Sequence, residues 1–124
     1  MLEENILASI KKLLGFEEDY TAFDADIMMH INSAFMGLHQ LGVGPAAGYA
    51  LSSGLETWPE FFGTYTDLQG VKTYIYLKVR LVFDPPSSSF IIDAIQKQIA
   101  ELEWRLNVQV DTEPLPLEGG STSE

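Results

Sequence analysis

The chain has 124 residues, with 7 lysines and arginines against 18 aspartates and glutamates, which gives a formal charge of −11. At 46 % hydrophobic residues it suits one globular domain with its own core, and the absence of cysteine excludes a disulfide framework, thiolate zinc sites and cysteine nucleophiles. The acid excess opposes non-specific nucleic-acid binding, which depends on Lys and Arg at phosphates, and no apolar run approaches the ~20 residues of a membrane span.

In chain order, residues 2–14 read as a short helix. Leu2, Ile6, Leu7, Ile10 and Leu13 or Leu14 recur at steps of three and four, and Gly15 follows as a stop. Glu3 and Glu4 at its start and Lys11 and Lys12 near its end suit the helix dipole. The acidic start, Met1 to Glu4, lacks the basic region of a signal peptide, so the expectation is synthesis and assembly in the cytoplasm. After an acidic turn, Glu17-Glu18-Asp19, a second helix is expected from Asp24 as N-cap, with Asp26 in its first turn. Ile27, Ile31, Phe35, Leu38 and Leu41 mark its apolar face, Gly37 weakens it by ~1 kcal/mol relative to alanine, and Gly42 ends it.

Residues 42–57 form a glycine-rich loop that leaves room for Tyr49 and Leu51 to pair in a small hairpin, but it carries no strong turn signature, so its conformation stays open. Trp58-Pro59-Glu60-Phe61-Phe62 reads as a short helical turn with proline at its first position. Residues 68–83 carry two patterns. Ile75, Leu77, Val79, Leu81 and Phe83 alternate as in a strand, yet the segment is also apolar nearly all round a helical wheel. Its unbroken length exceeds the usual strand and no equally long partner strand is near, so a helix is favoured. Asp84-Pro85-Pro86 must break it, because neither proline donates a backbone hydrogen bond and Pro85 disfavours a helical Asp84. One of Ser87, Ser88 and Ser89 is expected to cap a last helix with Ile92, Ile95, Ile99, Leu102 and Leu106 as its buried stripe.

The expected fold is therefore all-α: a small bundle of about four helices with the long glycine-rich loop between the second and third. Ile75, Leu81, Ile95, Ile99 and Leu102 are expected in its core. A helical domain over 1–107 is followed by an extended acidic C-terminal tail over 108–124. That tail holds Val108, Val110, Leu115 and Leu117, which are unusual in a solvated linker, and Pro114 and Pro116 stiffen the stretch around Leu115. Docking of Leu115 and Leu117 into apolar pockets, with Glu113 and Glu118 at the rim, stands against a solvated tail without contacts.

Catalytic and metal-binding patterns find no support in the residues. His30 and His39 lie roughly 13 Å apart along one helix and cannot share a metal. Asp24 and Asp26 read as helix-start acids, and Glu17 to Asp19 lack the spacing, central glycine and terminal glutamate of a calcium loop. Gly42-Val43-Gly44 is followed by Pro45 and no lysine, so it is neither a phosphate loop nor a dinucleotide fingerprint. No serine sits in a nucleophile elbow. No enzyme activity and no cofactor are expected. Trp104 is the conspicuous residue: on the wheel it points almost directly away from the buried stripe, between Glu103 and Arg105. Two readings are open, an anchor for a protein partner or a side chain covered by the 42–62 loop.

The run Val71-Lys72-Thr73-Tyr74-Ile75-Tyr76-Leu77-Lys78-Val79-Arg80-Leu81-Val82-Phe83-Asp84-Pro85-Pro86, together with Ile99-Ala100-Glu101-Leu102-Glu103-Trp104-Arg105-Leu106-Asn107, resembles tailed-bacteriophage head–tail connector (adaptor) proteins. The order of elements resembles them too, over roughly residues 1–110. The resemblance implies a virion protein of the neck. It would form a ring of twelve copies below the portal, extend the DNA channel and dock a stopper or tail component. DNA would pass through without specific binding, repelled by an acidic wall, and no membrane is involved. Trp104, Arg105, Tyr76, Leu115 and Leu117 are then the candidate subunit or portal contacts, with Asp84, Pro85 and Pro86 serving only as the helix break. The alternatives are an acidic DNA mimic that inhibits a host DNA-processing enzyme, for which the acids are too scattered, and an assembly chaperone absent from finished particles.

Overall fold

The computed structural model describes residues 5–62 and 68–112. It is helical, with α1 (Ile6–Leu14), α2 (Asp24–Gln40), α3 (Trp58–Phe62), α4 (Leu68–Phe83) and α5 (Ser89–Thr112). The short α3 is the turn expected at Trp58. Thr57 and Glu60 form half of a capping box, the Thr57 N–H donating to Glu60 Oε1 at 2.9 Å. Among the described residues the only β pairing is an isolated bridge between Asn5 and Thr57.

The segment with two readings, 68–83, is helical and forms the spine of the bundle, packing against α1, α2 and α5. Val71, Tyr74, Ile75 and Val79 are fully buried along it. It is not buried all round, because Val82 is exposed. Of the five expected core residues, Ile75, Ile95 and Ile99 are buried, whereas Leu81 and Leu102 are only partly covered at the edge of the core.

Three helix ends differ from expectation. Among the described residues the first helix begins at Ile6, where Asn5 caps it: its Oδ1 accepts from the Ala8 N–H at 2.8 Å, and Leu2, expected as its start, lies outside the described residues. Glu3 and Glu4 lie outside the described residues. At α2 the N-cap position is Phe23, which makes no side-chain cap bond, and Asp24 is the first helical residue. Asp24 turns to Lys11 instead, at 2.9 Å, and Lys11 Nζ also donates to the Glu18 carbonyl at 3.0 Å. The last helix runs to Thr112, past the end expected at Asn107, so Val108 and Val110 are helical and not part of an extended tail. Tertiary contacts hold this last turn and a half: Asn107 Nδ2 donates to the Leu41 carbonyl at 3.4 Å, and Val110 packs over Gly42. Residues 113–124 lie outside the described residues. The break itself is as expected, with α4 ending at Phe83 and Ser88 Oγ accepting from the Ile91 N–H at 3.4 Å.

Residues 42–57 do not form a hairpin. The Asn32 side chain takes the place of a partner strand: Leu51 N–H donates to Asn32 Oδ1 at 2.6 Å, and Asn32 Nδ2 donates back to the Leu51 carbonyl at 3.0 Å. Further along, the Glu56 carboxylate accepts from the backbone N–H groups of Ser52, Ser53 and Gly54 at 2.7, 3.1 and 2.9 Å. Partial burial raises its pKa, but these donors outweigh it and hold the group at about 2, below its ordinary 4.5. Because the folded value is depressed, the stabilisation is present above pH 4.5 and is lost as pH falls towards 2. Glu56→Gln is expected to lower stability at neutral pH by about 1–2 kcal/mol. The gap to the wild type should close on acidification through that window, as followed by urea denaturation at a series of pH values.

Gly37 gives a second test, at the crossing of α2 and α4. A Cβ there would lie 2.7 Å from Tyr74 Oη, too close for any real contact, while the next atom, Tyr74 Cζ, would be at an ordinary 3.8 Å. The hydroxyl cannot easily retreat, since Tyr74 is 1 % exposed and its Oη donates to Glu103 Oε2 at 3.0 Å. Gly37→Ala should therefore destabilise the wild type in spite of its ~1 kcal/mol helix-propensity gain. In a Tyr74→Phe background, which lacks the hydroxyl, the same substitution should become neutral or stabilising. A double-mutant cycle by thermal denaturation reads this change of sign.

Candidate functional site

On α5 Ile95, Ile99 and Leu106 are buried against the bundle and Ile92 and Leu102 are partly covered, so the opposite side of the helix is left to solvent. Trp104 stands on that side, 67 % exposed. The 42–62 loop therefore does not cover it. Arg105 is beside it and pairs with Glu101 one turn back at 2.9 Å, both side chains being well exposed. Such a surface pair adds little stability, so these residues are not held in place by the fold's needs. Phe90, the most exposed large apolar residue of the helix, extends the same surface towards its N-terminus, and Ile91 is exposed on its flank.

Tyr76 does not join Trp104. It is half-buried on α4, and its hydroxyl accepts from Arg80 Nη1 at 3.1 Å. It lines an open groove between α1 and α4 whose charged groups are Lys12, Glu17, Glu18 and Lys72. Lys72 also lies over the Trp58 ring, 5.7 Å from its centroid. Asp84-Pro85-Pro86 connects α4 to α5 without a side-chain ion pair on Asp84 among the described contacts. Its backbone carbonyl accepts from Arg80 Nε at 3.1 Å. Leu115 and Leu117 lie outside the described residues.

One surface feature escapes sequence reasoning. Phe16, Tyr20, Phe23 and Phe83 gather at one end of the bundle, with centroid separations of 5.5 to 6.0 Å. His30 joins through Phe83 at 6.4 Å. Tyr20 and Phe23 are 46 % and 40 % exposed, so the cluster is an aromatic patch and not a buried core. Phe16, Tyr20 and Phe23 lie close together in the sequence, but the fourth member, Phe83, comes from a distant helix.

These surfaces present apolar rings, a tyrosine hydroxyl and scattered opposite charges, which suit contact with protein. Among the described residues no group of three His, Asp or Glu side chains is placed to hold a metal ion, and no described helix is long and apolar enough to cross a membrane. Neither a curated protein nor a solved structure gives a significant match to the chain. A protein-family model described as phage connector protein matches residues 6–113, from the first residue of α1 to just beyond the last of α5. The match takes in all five described helices, and the chain belongs to the phage connector protein family.

Proposed function

We propose that this chain is a non-enzymatic structural adaptor of the head–tail junction of a tailed phage, assembling as a ring of twelve copies on the portal. The single observation that carries the reading is the family match over residues 6–113. The exposed Trp104 and Phe90 supply the aromatic anchors an assembled subunit needs. The charge of −11 per copy supports the channel role. A wall of that sign repels phosphates, so DNA passes without sticking, whereas a basic lumen would hold it.

In this reading Leu115 and Leu117 dock on the portal or on an adjacent subunit, stiffened by Pro114 and Pro116 so that less entropy is lost on ordering. A stopper or tail component binds the opposite side of the ring. The test is binding of the full chain to purified portal rings, followed by native mass spectrometry. Wild type should load the portal to saturation, and Trp104→Ala or removal of residues 113–124 should weaken loading at least tenfold with the helical spectrum unchanged. Undiminished loading by the truncated chain would remove the tail from the interface. No loading by the wild type would remove the adaptor role.

A further inference from the structure

The outer face of α5 has a regularity that solvent exposure does not require. Phe90, Ala94, Lys97, Glu101, Trp104 and Val108 follow one another at steps of four and three, the spacing of a helix–helix seam. All six are exposed, on the side away from the stripe that packs into the bundle. The seam is also self-complementary when read in opposite directions about residue 99. Phe90 then meets Val108, the small Ala94 meets the large Trp104, and Lys97 meets Glu101, so every layer pairs apolar with apolar or plus with minus. The flanking positions bring Asp93 opposite Asn107 and Ile91 opposite Arg105, and no like charges are opposed. A parallel pairing lacks this match, because it sets Lys97 against Lys97 and Glu101 against Glu101.

We infer that the chain forms a two-fold symmetric dimer in solution through an antiparallel pairing of α5 with α5 of a second copy. The occupant of this face is fixed by the complementarity of the face with itself. Two copies each of Phe90 and Trp104 cover on the order of 500 Å². With their neighbours the interface lies near the ~1,000 Å² lower bound for specific association, so the dimer is weak and depends on concentration. The inference does not rest on the adaptor reading. It places the aromatic anchors under cover in the free protein, where a like surface shields them until a stronger partner takes their place.

Sedimentation equilibrium of the full chain over a wide concentration range tests it, with circular dichroism as the control for folding. Lys97→Glu alone and Glu101→Lys alone should each weaken the dimer about tenfold, since by symmetry either reversal creates two like-charge layers. The double reversal, Lys97→Glu with Glu101→Lys, should restore wild-type association. Because the natural chain has no cysteine, direction can be read by oxidation. Gln98→Cys, beside the two-fold axis, should cross-link to its own copy, and Ala94→Cys should not. A chain that stays monomeric throughout, a dimer indifferent to the charge reversals, or cross-linking at position 94 in preference to 98 would overturn the proposal. A monomer that still loads the portal would overturn the dimer and leave the adaptor reading standing, and a dimer that ignores the portal would do the reverse.

Discussion

Asp24→Ala is expected to cost about 3–5 kcal/mol of folding stability, because it leaves a buried ammonium without its counter-charge. The Lys11 side chain is 4 % exposed against 29 % for Asp24, so the two ends of this ion pair are unequal. Without Asp24, the Lys11 ammonium keeps the Glu18 carbonyl and little else. Asp24 Oδ1 is itself shut off from solvent, and its contact with Lys11 is an ionic approach without hydrogen-bond alignment. The first turn of α2 also loses a favourable negative charge. Lys11→Met should cost less, about 1–2 kcal/mol, since Asp24 is the more exposed end of the pair and, although its Oδ1 loses its counter-charge, the side chain as a whole keeps a share of solvent. The double substitution should come back towards the wild type, as replacing both members of a buried pair by apolar groups often does. Urea denaturation of the three variants gives the order directly, and an Asp24→Ala cost no greater than that of Lys11→Met would contradict it.

Phe35→Ala is expected to cost a similar 3–5 kcal/mol through the cavity it leaves. Phe35 is 1 % exposed, and its ring lies 4.8 Å from Phe61 and 5.3 Å from Tyr49. Those two residues, themselves 5.5 Å apart, come from α3 and the glycine-rich loop. Phe35 therefore fastens the loop to α2. The backbone closes over this cluster at Gly44, where φ is +95° and a Cβ would come within 2.6 Å of the Phe61 ring. The Tyr49 hydroxyl, raised to about 12 by burial and by the charges of Glu60 and Glu56, stays protonated and can donate to Glu60. Equilibrium unfolding should show the loss in Phe35→Ala, and proteolysis within 42–57 should become faster than in the wild type.

The helices were legible where one face is apolar along a continuous stretch. Ile27, Ile31, Phe35 and Leu38 announce α2, and Ile92, Ile95, Ile99 and Leu106 announce α5, because each set repeats with the helix itself. The Asp84 break is equally local, since proline acts through its own ring and missing N–H. Exposure of Trp104 follows from the same wheel that placed the buried stripe. The Lys11–Asp24 pair is not legible that way: the two residues sit on different helices, and the acidic turn between them offers several carboxylates of the same kind. The last turn and a half of α5 was missed for a related reason. Val108 and Val110 alternate as in an extended segment, and what keeps them helical is the docking of Asn107 and Val110 onto the end of α2. The wheel of α4 did not show the half-burial of Tyr76 or the hydrogen bond its hydroxyl accepts from Arg80, one turn along the same helix.

A structural protein of the phage particle stays with it after assembly is complete. Quantitative mass spectrometry of purified, DNA-filled particles measures this directly. The chain is expected in the finished particle at a fixed ratio to the portal, about one copy per portal subunit for a ring matched to it. Its absence from such particles while it is abundant in the infected cell would rule out a structural role and mark the chain as an assembly factor that leaves before completion.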